Sequence, residues 1–338
     1  MREYIQKIRD KENLARQEIE AVMQQIMSGQ AVKEEMADFL LALREKGPTV
    51  EELTGAARIM RKFVIGVSSR HKVILDTCGT GGDKKNTFNI STVSAFVVAG
   101  AGVPVAKHGN RSVSSACGSA CVLEALGVRL DIEEQRLEEC LNEIGIVFLF
   151  AQRLHPAMRN IAAVRRELGV DTIFNILGPL TNPARATHQV IGVYNRDLLE
   201  PVARVLKNLG SRRALVVHGG DGLDEITLTD QTFVCSYDGT QILSYDITPE
   251  ELGFVRCRAE DLQGGDVEQN ARIAREILEG QPGPKRDVVV LNAAYALYTA
   301  EKAESLNDAL AMARDSIDSG AAKRKLEALK AFTRGERL

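Results

Sequence analysis

The chain has 338 residues, 44% hydrophobic, 26% charged and 5% aromatic with no Trp, which is ordinary globular composition for two or three domains or one large domain with an appendage. A chain this long buries most of the surface its unfolded form exposes and needs no disulfide or metal staple. Its 43 Lys and Arg against 46 Asp and Glu leave a formal charge of -3, which argues against a dedicated nucleic-acid binder.

The first twenty residues are too charged for a secretory h-region. Ile19, Val22, Met23 and Ile26 then fall at helical spacing, with Gly29 as a stop signal. Met36, Phe39, Leu40 and Leu43 repeat the pattern up to Gly47-Pro48. Thr49 and Glu52 make a capping box ahead of Leu53, Ala56, Ala57 and Met60. Short helices on short loops predict a helical domain over residues 1–70.

From residue 73 the pattern changes. Val73-Ile74-Leu75 reads as a strand running into a Gly-rich turn, and a helix follows over about 91–101. Val103 to Ala106 and Ile146 to Phe150 read as further strands, separated by a helix from Ser119 to Gly127. A helix opened by Pro156 closes near Gly169. Gln189 to Tyr194, Ala214 to Val217 and Val288 to Leu291 continue the strand series. This alternation predicts an α/β domain with a mostly parallel sheet over 71–338. Asp171 to Ala186 reads as a linker or crossover, and residues 230–262 as an antiparallel excursion. The uncharged run Asn86 to Ala106 holds too many Gly, Pro and hydroxyl residues for a membrane span. Six cysteines without CxxC spacing read as buried free thiols of a soluble, cytoplasmic protein; on a helix, Cys117 and Cys121 would share a face.

Ligands of open parallel sheets bind beyond the C-terminal strand ends, and four constellations stand there. Asp76 to Asp83 contains three glycines in four residues, which lets backbone N–H groups converge on an anion; Asn89-Ile90-Ser91-Thr92 then opens a helix whose N-terminus favours negative charge. This is neither a Walker loop nor a dinucleotide fingerprint. Lys107 to Ser115 brings two cations, a histidine, an amide and three hydroxyls, an inventory suited to phosphate oxygens. Between Asp76 and Ser119 four cations face two anions. His218 to Glu225 ends in Asp224-Glu225; such a pair alone is ordinarily solvated surface, but beside two phosphate-type loops it suits Mg²⁺. In the fourth, Arg159, Arg165 and Arg166 offer a fork for a carboxylate, and the sequence leaves open which of them faces inward. His71, His188 and His218 read as structural or surface residues.

The runs DTCGTGGD, NIST, KHGNRSVSSACGSA, VLEALG, FNILGPLTNPA and HGGDGLDEIT closely resemble the anthranilate phosphoribosyltransferase family, and the likeness runs from about residue 5 to 330. The resemblance implies a homodimer assembled through the helical domain, to which about 165–186 also contributes. It implies a large α/β domain of the nucleoside phosphorylase and phosphoribosyltransferase type. The implied reaction transfers the phosphoribosyl group of 5-phosphoribosyl 1-diphosphate (PRPP) to the amine of anthranilate, releasing pyrophosphate, as the second step of tryptophan biosynthesis.

Residue by residue, it implies PRPP contacts at Gly79, Gly82, Asp83, Thr87, Asn89, Ile90, Ser91 and Thr92. It adds Lys107, His108, Gly109, Asn110, Arg111, Ser112, Val113, Ser114, Ser115 and Ser119. Ser91, Asp224 and Glu225 would hold Mg²⁺, two per monomer. Asn110 and Arg165 would hold anthranilate, with Gly79, His108 and Pro179 near it. Lys107, Asn110 and Arg165 would position the transition state, with no side chain acting as acid or base. Cys121 stands where the family usually has Asp, and Gln152 where Pro is common. No nucleic-acid or membrane partner is implied, and association with an anthranilate synthase subunit stays open. A pyrimidine nucleoside phosphorylase shares the architecture without needing the paired carboxylates. A nucleic-acid-binding paralogue on the same scaffold would need a basic face, for which the net charge gives no support.

Overall fold

The computed structural model describes residues 1–83, 85–111 and 117–336. Helices Arg2–Arg9, Arg16–Met27, Lys33–Lys46 and Val50–Phe63 open the chain. The last begins as its sequence dictates, with the Thr49 hydroxyl accepting from Glu52 N–H and the Glu52 carboxylate accepting from Thr49 N–H. Glu52 is fully buried, and also accepts from Leu14 N–H and from the Lys46 ammonium, both at 2.9 Å.

Among the described residues seven strands follow: β1 Leu75–Gly79, β2 Val105–Gly109, β3 Ile146–Phe150, β4 His188–Gly192, β5 Arg213–Gly219, β6 Thr232–Tyr237 and β7 Ile242–Ile247. Their order is β3-β2-β1-β4-β5-β6-β7; the first five pair in parallel, and β6 and β7 are antiparallel. The order reverses between β1 and β4, so the crevice at their C-terminal ends is the switch point where such sheets take ligands. Alternate side chains face opposite layers. Val190, Leu215 and Val217 join the apolar core beneath helices Ile90–Gly100, Pro284–Thr299 and Ala321–Arg334. Ile191, Ala214 and Val216 join the core shared with the N-terminal helices, Arg159–Leu168 and Leu199–Asn208.

Several expectations need correction. Val288 to Leu291 is not a strand but part of helix Pro284–Thr299, whose residues from Val288 onward are nearly all buried; a helix apolar all round carries no period to distinguish it from a buried strand. β1 begins, rather than ends, at Leu75, and β2 extends through Lys107 and His108, so these two are strand residues and not loop residues. The 171–186 crossover is built, with helix Ile173–Leu177, a turn at Pro179–Thr181 and mostly buried side chains. Cys117 precedes helix Ser119–Ala125 and shares no helical face with Cys121. Among the described residues, no helix is long and apolar enough to cross a membrane.

Candidate functional site at the switch point

β1 and β4 both end in glycine, and the reason is a third segment crossing between them. A Cβ at Gly192 would collide with the Asp224 carbonyl, and one at Gly79 with the Asp224 carboxylate. Only glycine lets the loop after β5 come this close. The Asp224 carboxylate accepts from Gly81 N–H at 2.9 Å, and Glu225 accepts from Ser91 N–H at 3.0 Å, at the first turn of helix Ile90–Gly100. Lys107, buried in the middle of β2, donates to the Thr77 carbonyl and to the Ser91 hydroxyl. Four separate sequence motifs thus converge on one point.

The electrostatics of this point call for a cation. Burial and then the facing Asp83 push the Asp224 carboxyl up to about 7. Burial and then Asp224 push Glu225 up to about 8, against the pull of Lys107. Clustered carboxylates of this kind relax when a divalent ion supplies positive charge. Among the described residues no three His, Cys, Asp or Glu side chains converge tightly enough to hold a metal unaided. The Asp224 and Glu225 carboxylates and the Ser91 hydroxyl are hard oxygen donors, a set that fits a cation drawing further oxygens from a ligand, as Mg²⁺ does with phosphates.

Gly81 and Gly82 have positive φ, which turns the backbone after β1. Thr87 forms a β-bridge with Gln263, and Asn89 stands at the N-cap of helix Ile90–Gly100 without capping it. Ile90 is buried, and the Thr92 hydroxyl is buried with no partner among the described residues. Gly109 lies against Phe148 and Ser119, and the Ser119 hydroxyl donates to the Asn110 carbonyl. Arg111 is exposed, paired with Glu124 at 2.6 Å and lying over the Phe150 ring. Ser112, Val113, Ser114 and Ser115 lie outside the described residues, as does Lys84.

A second group flanks the first. Of the three arginines, Arg159 and Arg166 are exposed, and Arg165 is half-buried, bonded to Asn175 at 3.3 Å and lying over Phe174. Arg165 is thus the inward-facing one. His108 and His155 are both buried with their Nε2 atoms 3.1 Å apart; burial pushes them down to about 3 and about 4, so both rings are neutral. Pro179 is buried, its carbonyl accepting from Gln189. Beneath lies Asp76, fully buried, accepting from His108 N–H and from the Asn182 amide. Asn182 and Gly192 escaped the sequence reading. A glycine closing the apolar run Val190-Ile191 was the available signal for close backbone approach.

Residues 71–323 match a family described as "Glycosyl transferase family, a/b domain", and residues 2–64 its helical bundle domain. The helical bundle and the α/β domain together define a glycosyl transferase of this class. The anthranilate phosphoribosyltransferase of Moorella thermoacetica is 54% identical over 97% of both chains. The crystal structure of the Thermus thermophilus enzyme of that name superposes with a TM-score of 0.93 at 44% identity, covering 98% of this chain and 99% of the other. The Saccharomyces cerevisiae enzyme, solved in complex with PRPP and Mg, gives 0.88 at 26% identity, covering 95% and 94%. The chain belongs to the anthranilate phosphoribosyltransferase family.

Proposed function

We propose that this chain transfers the phosphoribosyl group of PRPP to the amine of anthranilate, giving N-(5-phosphoribosyl)anthranilate and pyrophosphate, the second step of tryptophan biosynthesis from chorismate. The observation that carries this reading is the meeting of Gly79, Ser91, Lys107, Asp224 and Glu225 at the switch point. The C1–O bond of PRPP breaks, its electrons leaving with pyrophosphate, and a C1–N bond forms as the amine loses a proton to solvent.

Mg²⁺ held by Ser91, Asp224 and Glu225 would neutralise the departing diphosphate, and we assign two ions per monomer. The chain's own residues do the rest. Gly79, Gly82, Asp83, Thr87, the run Asn89 to Thr92, the segment Lys107 to Ser115 and Ser119 bind PRPP. Lys107 stands beside the metal-binding hydroxyl, donating to Ser91 Oγ. Arg165 grips the anthranilate carboxylate as a planar fork, with Asn110, His108, Gly79 and Pro179 around the ring. The neutral His108–His155 pair adds no charge to that pocket. An aromatic amine is a competent nucleophile once held in line, so positioning carries the rate.

We read residues 1–70, with a contribution from 165–186, as the helical domain and 71–338 as the PRPP-binding domain. A homodimer through the helical domain is supported by the exposed apolar side chains of Val32 and Leu41. A cytoplasmic location accords with free cysteines throughout. Pyrophosphate release that needs both anthranilate and PRPP tests the function. Phosphorolysis of thymidine in its place would assign the chain to the nucleoside phosphorylases.

A further inference from the structure

Asn270 lies near the start of helix Val267–Leu278, outside every motif considered above, and is 3% exposed. Its side-chain oxygen accepts from Gly265 N–H at 2.8 Å, which fixes the orientation of the amide because that backbone group can only donate. The amide nitrogen then donates to Asn89 Oδ1 at 3.4 Å. Asn89 in turn donates to the Cys117 carbonyl at 3.2 Å. A buried amide engaged through both its oxygen and its nitrogen holds a single orientation.

Asn89 is the N-cap residue of helix Ile90–Gly100, and asparagine in that position ordinarily folds its side chain onto the first-turn N–H groups. Here it makes no such bond, because both ends of its amide are taken by Asn270 and Cys117. Ile90 and Thr92 N–H are taken by the Phe88 and Asn89 carbonyls, and Ser91 N–H, not claimed by the Asn89 side chain, binds Glu225. The segment around Asn270 is also clamped to the loop before Asn89: Gln263 bridges Thr87, and Gly264 N–H donates to the Asn86 carbonyl at 3.0 Å. Gly264 packs so closely on Phe88 and Asn270 that a Cβ there would meet both.

We infer that Asn270 is a positioning residue for the diphosphate end of the site: it holds the Asn89 side chain off its own helix and ties the Asn89–Thr92 turn to Cys117, where the chain re-emerges from the Lys107–Ser115 segment. It touches no reacting atom and acts through Asn89. The inference rests on the reading of Asn89 as a PRPP contact.

Asn270→Asp keeps the acceptor for Gly265 N–H and removes both donors; Asn270→Ser is the smaller control. PRPP and anthranilate KM, kcat and Tm are measured for each, alone and combined with Asn89→Ala. Loss of one or two buried hydrogen bonds of about 1 kcal/mol each raises the PRPP KM by roughly 5- to 30-fold. The anthranilate KM stays within about twofold, and the second substitution adds little once Asn89 is gone, as expected for one coupled unit. Equal rises in both KM values, additive losses with Asn89→Ala, or failure of both variants to fold would make Asn270 a structural residue only and overturn the inference. Wild-type protein that neither binds nor consumes PRPP would instead remove the functional reading beneath it.

Discussion

The main-chain carbonyl of Asp224 fills the space where a side chain on Gly192 would begin, and its carboxylate does the same at Gly79. The last residues of β1 and β4 are therefore glycine because the carboxylate-bearing loop lies across them. Gly192→Ala must push that loop outward, at a cost of about 1–3 kcal/mol for overpacking, and Glu225 loses its register with Ser91 N–H. The variant should fold, lose at least about tenfold in kcat/KM for PRPP, and need more Mg²⁺ for half-maximal rate. A Mg²⁺ titration of initial rates checks this. A wild-type Mg²⁺ dependence would show that the close approach is incidental.

Arg165→Ala should act on the other substrate. Removing one charge-assisted contact of about 1.5–3 kcal/mol raises the anthranilate KM by roughly 10- to 150-fold while the PRPP KM barely moves. Arg165→Lys should recover little, because an ammonium cannot make the forked contact. Steady-state kinetics with each substrate varied in turn decides; equal losses in both would remove Arg165 from anthranilate binding.

The pH dependence of stability follows from His108 and His155. Both are neutral in the fold, held down to about 3 and about 4 by burial, against about 6.5 in an unfolded chain. Between those values the unfolded chain binds more protons, so this contribution is fully present above about pH 6.5 and is lost as pH falls toward 4 and 3. His155→Gln keeps an N–H facing His108 and has no proton to gain. Its Tm should fall less steeply than that of the wild type between about pH 6.5 and 4.5. Parallel curves from calorimetry would contradict the assignment.

What the sequence disclosed depended on whether a signal was local. The Thr49–Glu52 box, the Ile146 to Phe150 strand and the helix stop at Gly169 each follow from neighbours within a few residues, and each is present. Arg165 could not be chosen over Arg159 and Arg166, because which face of that helix turns inward is decided by the packing of Ile161 and Val164 against the N-terminal helices. Val288 to Leu291 misled because full burial erases periodicity. Asn182 and Asn270 were invisible for a related reason: single amides in ordinary contexts gain meaning only from partners over a hundred residues away, Asp76 for one and Asn89 for the other.

Glu52 combines the two cases. Its capping bonds were legible, but its pairing with Lys46 and its bond to Leu14 N–H were not. Removing one partner of a buried ion pair costs about 3–5 kcal/mol, so Glu52→Ala should be among the most destabilising substitutions in the N-terminal helices. Glu52→Gln, which still accepts hydrogen bonds, should cost less. Urea denaturation monitored by circular dichroism measures both, and a loss below about 1 kcal/mol for Glu52→Ala would contradict the burial argument.

The central claim is tested most directly by following anthranilate fluorescence with purified protein, PRPP and Mg²⁺, then repeating the run with PRPP omitted, with EDTA added, and with Asp224→Asn/Glu225→Gln protein. The account predicts decay only in the complete wild-type mixture, because the switch-point carboxylates, the metal and the diphosphate act as one unit. Decay that persists without PRPP, or unchanged in the double variant, would contradict it.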